Sequence, residues 1–270
     1  MKSPVHNLLR AMAFLSLFGG LVQAEEELMD KEHVREELGV NAYTTPAISD
    51  LLDELRLLKP ISFNNTRRQL PAGPFPNRAQ LALNFGGLIG DGFLLVAVEK
   101  RGNAEEVARG LLKFAKALAV SNTITKRAES LSELVAKNAW DQLKRELIAM
   151  QGDVEKALMQ LRDEEITHLI SLGGWIRGLE ICAKTVAADY SPERSGPLIQ
   201  PDIMSYFLER LDTLQPQLQK LPLFMTIRDR LKAVHKIVSE SRNETLTREQ
   251  VLEIQKLAEE MNLAIATPVE

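Results

Sequence analysis

The chain has 270 residues, of which 45% are hydrophobic and 26% are charged, so it is long and apolar enough to bury a sizeable core. That composition argues against a disordered or fibrous protein. The formal net charge of −4 at pH 7 argues against nucleic acid or an anionic membrane surface as a partner. Aromatic residues make up only 5%, and a chain rich in Leu, Ala, Glu and Lys favours helix over strand.

Residues 1–24 have the three regions of a secretory signal peptide in the correct order. Lys2 and Arg10 are basic, residues 11–22 are apolar, and Ala24 is a small residue at a suitable cleavage point. The alternative is an uncleaved membrane anchor, but the apolar stretch is much shorter than the ~20 residues that span a bilayer. We expect no later membrane-spanning segment, and therefore a periplasmic or secreted protein.

Between the predicted cleavage point and residue 76 we expect N-terminal helices followed by a proline-rich connection. Thr45 and Pro46 suit the N-cap and first position of a helix. A stripe of leucines follows at helical spacing: Leu51, Leu52, Leu55 and Leu58. Residues 61–76 contain three prolines and are predicted to form an irregular connection over the surface, with a functional loop as the weaker alternative.

Two apolar, glycine-rich stretches, residues 77–98 and 165–182, are predicted to be helices at the centre of the domain. Aligning their Gly-Gly pairs places Asp91 beside Arg177. Glycine inside a helix costs ~1 kcal/mol relative to alanine, so glycines at this density need a packing reason. We expect the small-residue faces of the two helices to meet; they are Ala79, Ala82, Gly86 and Gly90 in the first, and Ser171, Gly174, Gly178 and Cys182 in the second. Such faces also leave room for a ligand.

Each glycine-rich stretch is followed by three amphipathic segments, which predicts a first helical half at 77–162 and a second at 163–270, within one compact domain. The repeated order suggests an internal duplication, although any helical protein gives a similar pattern. No stretch alternates with period two. The expected fold is therefore all-α, either a multi-helix bundle or a helical array. An internal duplication would divide it into two pseudo-repeats, each of which begins with a glycine-rich helix.

Polar residues inside the apolar stretches are the candidate ligand-binding residues: Asn84, Asp91, His168, Trp175, Arg177 and Glu180. One interpretation is a small polar pocket between the two glycine-rich helices. The other, which we favour, is a structural ion pair between Asp91 and Arg177, shielded from water, with Glu180 sharing the guanidinium. Burying an unpaired charge is costly, so these groups should be paired or should lie at an opening to water.

The sequence gives little support for metal or covalent chemistry. Glu165 and His168 have the spacing used in di-iron helical bundles, but that site needs a second such pair and two further glutamates. Neither His33 nor His235 has a glutamate three residues before it. The single cysteine, Cys182, is interpreted as a packing residue. We expect no metal, no cofactor and no catalytic residue.

These observations favour an exported helical protein with a non-catalytic role, as an interaction or scaffold protein, over an enzyme. The first alternative is a binder of a small ligand with a polar site between the glycine-rich helices. The second is an enzyme of a type that the sequence does not identify. The partner is accordingly an unidentified protein or small molecule, and nucleic acid is not expected.

Overall fold

The computed structural model describes residues 48–73, 75–161, 163–241 and 245–269, which all belong to one compact unit. Within these ranges the chain forms eleven α-helices and two short 3₁₀ helices, with no strand, so the predicted all-α class is confirmed. The predicted signal peptide at 1–24, and the beginning of the N-terminal segment at 25–47, lie outside the described residues.

Most of the helices follow one another with short connections, and a longer irregular segment precedes the helix that begins at Arg78. The two 3₁₀ helices are Ile48–Asp50 and Glu193–Leu198. The α-helices are α1 Leu51–Leu57, α2 Phe63–Thr66, α3 Arg78–Val98, α4 Ala104–Ala117, α5 Ser121–Ala136, α6 Trp140–Gln160, α7 Glu164–Ala188, α8 Pro201–Thr213, α9 Pro216–Gln219, α10 Pro222–Ser239 and α11 Arg248–Ala266.

The two glycine-rich helices, α3 and α7, pack against each other at the centre of the unit and are buried along nearly their whole length. A Cβ atom added to Gly86 would lie 1.9 Å from the carbonyl oxygen of Ile170, and one added to Gly173 would lie 2.0 Å from that of Leu83. The backbones of the two helices are therefore in direct contact, and only glycine fits at these two positions.

By length and composition alone, α3 is long and apolar enough to cross a membrane, so the expectation of no membrane-spanning segment after the N-terminus stays a prediction. It is the one described helix that passes this test, and 89% of its most apolar stretch is buried inside the protein. The central helix of a compact core passes the same test, because it too is apolar on every side.

The other helices surround this pair in two different orders. In the first half α4, α5 and α6 pack in sequence, and both α4 and α6 contact α3. In the second half it is the last helix, α11, that packs on α7, while α10 packs on α11 and α8 on α10. The internal duplication stays a prediction, since the two halves share a chain order and differ in their packing order.

Several helix starts follow the signals in the sequence. The side chain of Asn77 caps α3 by accepting a hydrogen bond from the backbone N–H of Gln80 at 2.9 Å. Thr247 and Gln250 form a complete capping box at the start of α11, as their spacing indicates. Pro201 occupies the first turn of α8, where its missing N–H costs nothing.

Candidate functional site

The predicted ion pair between Asp91 and Arg177 is confirmed. Arg177 Nε donates to Asp91 Oδ1 at 2.7 Å, and Nη1 donates to Glu180 Oε2 at 2.7 Å, so Glu180 shares the guanidinium as expected. The third nitrogen, Nη2, donates to the backbone oxygen of Thr66 at 2.6 Å. Arg177 is fully buried, and Glu180 also binds Lys184 Nζ at 2.6 Å. We call Arg68, Asp91, Arg177, Glu180 and Lys184 the central ion cluster.

Arg68 is the member of this cluster that the sequence analysis missed. Its Nε donates to Asp91 Oδ2 at 3.0 Å, and its Nη1 donates to Asn262 Oδ1 at 3.2 Å. It belongs to the irregular segment that was predicted to run over the surface, which here turns inward. Gly87 makes this possible, because a Cβ atom there would lie 2.6 Å from Arg68 Nη2. The sequence analysis noted the glycines of this helix but did not identify Arg68 as the side chain that packs against Gly87.

The charges in the cluster satisfy one another. Burial alone would raise the pKa of the Asp91 carboxyl, but the positive charges of Arg177 and Arg68 outweigh that effect and hold the pKa below its ordinary value. Burial likewise acts to lower the pKa of Arg177, and the carboxylates of Asp91 and Glu180 raise it overall. Since each guanidinium nitrogen of Arg177 already donates to a protein oxygen, the cluster has the properties of a structural element.

The remaining candidate residues lie apart from this cluster. Asn84 is fully buried, and its amide donates to the backbone oxygens of Gln80 and Ile265. His168 Nδ1 is 2.7 Å from the hydroxyl of Tyr206, at the edge of a cavity of about 170 Å³. Glu165 lines the same cavity, and its carboxylate accepts the backbone N–H of Gln215. Of the six candidates, only Asp91, Arg177 and Glu180 come together.

Trp175 lies in a second cavity of about 190 Å³, between α1 and α7, which we call the α1–α7 cavity. Its floor is the small-residue stripe of α7 that was predicted to face α3: Ser171, Gly174, Gly178 and Cys182. That prediction is wrong for Gly178, because a Cβ atom there would meet the side chain of Leu51 at 2.9 Å. Gly174 is approached from two sides, by Gly86 of α3 and by Ile48 of the 3₁₀ helix that precedes α1.

The walls of the α1–α7 cavity are largely apolar, with one chain of polar groups. Leucine, isoleucine and proline side chains supply the apolar part: Ile48, Leu51, Leu179, Pro197 and Ile203. The indole N–H of Trp175 donates to Gln200 Oε1 at 2.8 Å, and Gln200 Nε2 donates to Glu54 Oε1 at 3.4 Å. The ring of Trp175 also packs against Phe207, with centroids 5.5 Å apart. These contacts hold the Glu54 carboxylate and the indole in place.

Two ionisable groups in this cavity have shifted pKa values. Burial raises the pKa of the Glu54 carboxyl; the hydrogen bond from Gln200 opposes this shift, and the negative charges of Asp50 and Asp53 add to it. Burial also raises the pKa of the Cys182 thiol, with a smaller contribution from Glu54. Cys182 is therefore a neutral thiol at physiological pH and lines the cavity as a small apolar group.

A signal for Glu54 was present in the sequence, since it comes three residues after Leu51 and four before Leu58 and so lies on the face of the leucine stripe. Within the described ranges, no group of three or more His, Cys, Asp or Glu side chains is arranged to hold a metal ion. No protein-family model, curated protein or solved structure matches the chain, so the site has to be interpreted from its own geometry.

Proposed function

We propose that the protein binds a small, mainly apolar molecule in the α1–α7 cavity. The observation that supports this is a preformed space of about 190 Å³ with apolar walls and a positioned polar chain ending at Glu54. Small-molecule sites typically combine apolar walls with a few convergent polar groups. An apolar protein cavity of ~150 Å³ is large enough for benzene, so the volume suits one ring with a short substituent.

This function is the ligand-binding alternative rather than the interaction or scaffold role that the sequence favoured. The proposed site also differs in location from the one that the sequence suggested. The sequence located a polar pocket around Asp91, Arg177 and Glu180, whereas the cavity lies on the other face of α7. For a scaffold role we would expect one broad apolar surface patch. The large exposed apolar side chains in the described part of the chain come from α1, α6, α10 and α11 and from Leu161 just after α6, and not from the face of one element.

A cavity-filling variant tests the proposed site. Ile203 of α8 is half-buried and lines the cavity, so Ile203→Trp should occupy the space that the ligand needs. Leu208→Trp is the matched control, because Leu208 is a half-buried residue of the same helix that does not line the cavity. By isothermal titration calorimetry, 2-phenylethanol should bind the wild type and Leu208→Trp with a Kd on the order of 0.1–1 mM.

Binding to Ile203→Trp should fall below detection, and the milder Ile203→Phe should weaken binding at least about fivefold. Circular dichroism and thermal unfolding establish that each variant is folded. Failure of both 2-phenylethanol and its amine analogue 2-phenylethylamine to bind the wild type, or equal binding by the folded Ile203→Trp variant, would contradict the proposed site.

We also propose that the protein acts outside the cytoplasm, on the strength of the charge and hydropathy pattern of residues 1–24. N-terminal sequencing of the protein isolated from its own host should begin at Glu25. A variant with Ala24→Arg should accumulate with its leader attached, because the small residue at the cleavage point is lost. An intact Met1 on wild-type protein in the membrane fraction would overturn this prediction.

A further inference from the structure

The charged residues that line the described part of the α1–α7 cavity are all acidic. Among the described residues that line it, Asp50 and Glu54 are acidic, and none is lysine, arginine or histidine. An anionic ligand would therefore approach the Glu54 carboxylate, and none of the described lining residues carries a positive charge. Electrostatic complementarity of this kind selects between ligands even where it adds little affinity.

Glu54 differs from three other carboxylates that are wholly or partly buried. In each of these three, a carboxylate oxygen lies 2.7 Å or less from a side-chain nitrogen of arginine or lysine; the three are Asp91, Glu180 and Asp153. Glu54 is half-buried, yet within the described ranges its carboxylate receives one long hydrogen bond, at 3.4 Å from the neutral amide of Gln200. A partly desolvated carboxylate of this kind gains more from a positive partner than a solvated one does.

Trp175 supplies aromatic surface to the same cavity. Its indole N–H is already used by Gln200, so its contribution to a ligand comes from the ring. An aromatic ring attracts an ammonium group within about 6 Å of its centroid, and tryptophan does so best. Carboxylate and indole are connected through a single side chain, that of Gln200, which donates to one and accepts from the other.

We infer that the ligand of the α1–α7 cavity is an apolar amine, with its hydrocarbon part against Ile48, Leu51 and Ile203 and its ammonium group beside Glu54 and Trp175. This inference rests on the proposed function and adds the charge of the ligand to it. The raised pKa of Glu54 agrees with a carboxylate that lacks a positive partner when the cavity is empty.

Three probes of similar size and different charge test the inference: 2-phenylethylamine, 2-phenylethanol and 3-phenylpropanoate. The amine should bind the wild type at least about fivefold more tightly than the alcohol, and the carboxylate should not bind. Glu54→Gln keeps the shape and should remove the preference of amine over alcohol. Glu209→Gln is the matched control, because it makes the same charge change at an exposed position of α8 that does not line the cavity.

A pH titration supplies an independent readout. The amine remains protonated across the acidic range, so its affinity should fall as the pH drops through the pKa of Glu54, which lies above its ordinary value of 4.5. Three other titratable groups lie near Glu54: Asp50 in the preceding 3₁₀ helix, Asp53 in α1, and the Cys182 thiol of α7, which stays neutral throughout. The Glu54→Gln variant should lose most of this pH dependence.

The outcomes separate the two proposals. Absence of binding by both the alcohol and the amine would overturn the cavity as a ligand site. Equal binding of alcohol and amine to the wild type, or an unchanged preference in Glu54→Gln, would overturn the cationic ligand and leave the binding function in place.

Discussion

Replacing Gly86 by alanine should lower the free energy of unfolding by about 2–3 kcal/mol, although alanine normally favours helix. The added Cβ would lie 1.9 Å from the backbone oxygen of Ile170, so α3 and α7 must move apart. Overpacking of this kind typically costs ~1–3 kcal/mol, and the atom that it meets belongs to the backbone, which cannot rotate away. Gly86→Leu should be more damaging still.

Gly152 provides the matched control for this prediction. It lies inside α6, and nothing is within 4 Å of the position that its Cβ would occupy. Gly152→Ala should therefore stabilise the protein by roughly 0.5–1 kcal/mol through helix propensity alone. Chemical denaturation of the two variants measures both effects. A Gly86→Ala protein as stable as Gly152→Ala would show that α3 and α7 are not in backbone contact.

Removing one partner from the central ion cluster should be as severe. Arg177→Gln leaves the buried Asp91 and Glu180 without their shared guanidinium, and breaking a buried pair in this way costs ~3–5 kcal/mol. Asp91→Asn should cost a similar amount, because two guanidinium groups lose their common carboxylate. Combining the two changes should cost clearly less than their sum, since each removes the interaction that the other depends on.

Lys137→Gln is the control, because the pair of Lys137 with Glu133 is exposed and the unfolding midpoint should hardly change.

The contribution of Asp91 to stability should depend on pH in a definite direction. Since the pKa of Asp91 is lowered on folding, its ion pairs stabilise the protein above the ordinary carboxyl value of 3.8, and this contribution is lost as the pH falls further. Strict additivity of the Asp91 and Arg177 effects would contradict the coupling.

The features of the molecule that can be predicted from the sequence are those with local periodicity. The Asp91–Arg177 pair follows from aligning two glycine-rich helices, and the sharing with Glu180 follows from a spacing of three residues. Arg68 could not be found in this way, because it lies in a segment without periodicity whose path depends on space left by Gly87. Irregular segments are positioned by tertiary contacts, which leave little trace in sequence spacing.

The α1–α7 cavity could not be predicted from the sequence, for a different reason. A stripe of small residues indicates that something approaches α7 closely, but not which element does so. The sequence assigned the stripe at Gly174 and Gly178 to α3, whereas α1 lies over Gly178 and leaves a space beside it. Trp175 was singled out as a candidate and lines the cavity, but its connection to Glu54 through Gln200 was not predicted, because these residues come from distant parts of the chain.

Native mass spectrometry of protein purified from its own host tests most directly whether the α1–α7 cavity is the ligand site. Wild-type protein and the Leu208→Trp control should both carry an additional small mass that is lost on denaturation and that belongs to an amine. The folded Ile203→Trp variant should appear at the mass of the polypeptide alone. The same adduct on all three proteins would show that the ligand binds elsewhere, and bare polypeptide in all three would contradict the proposed ligand.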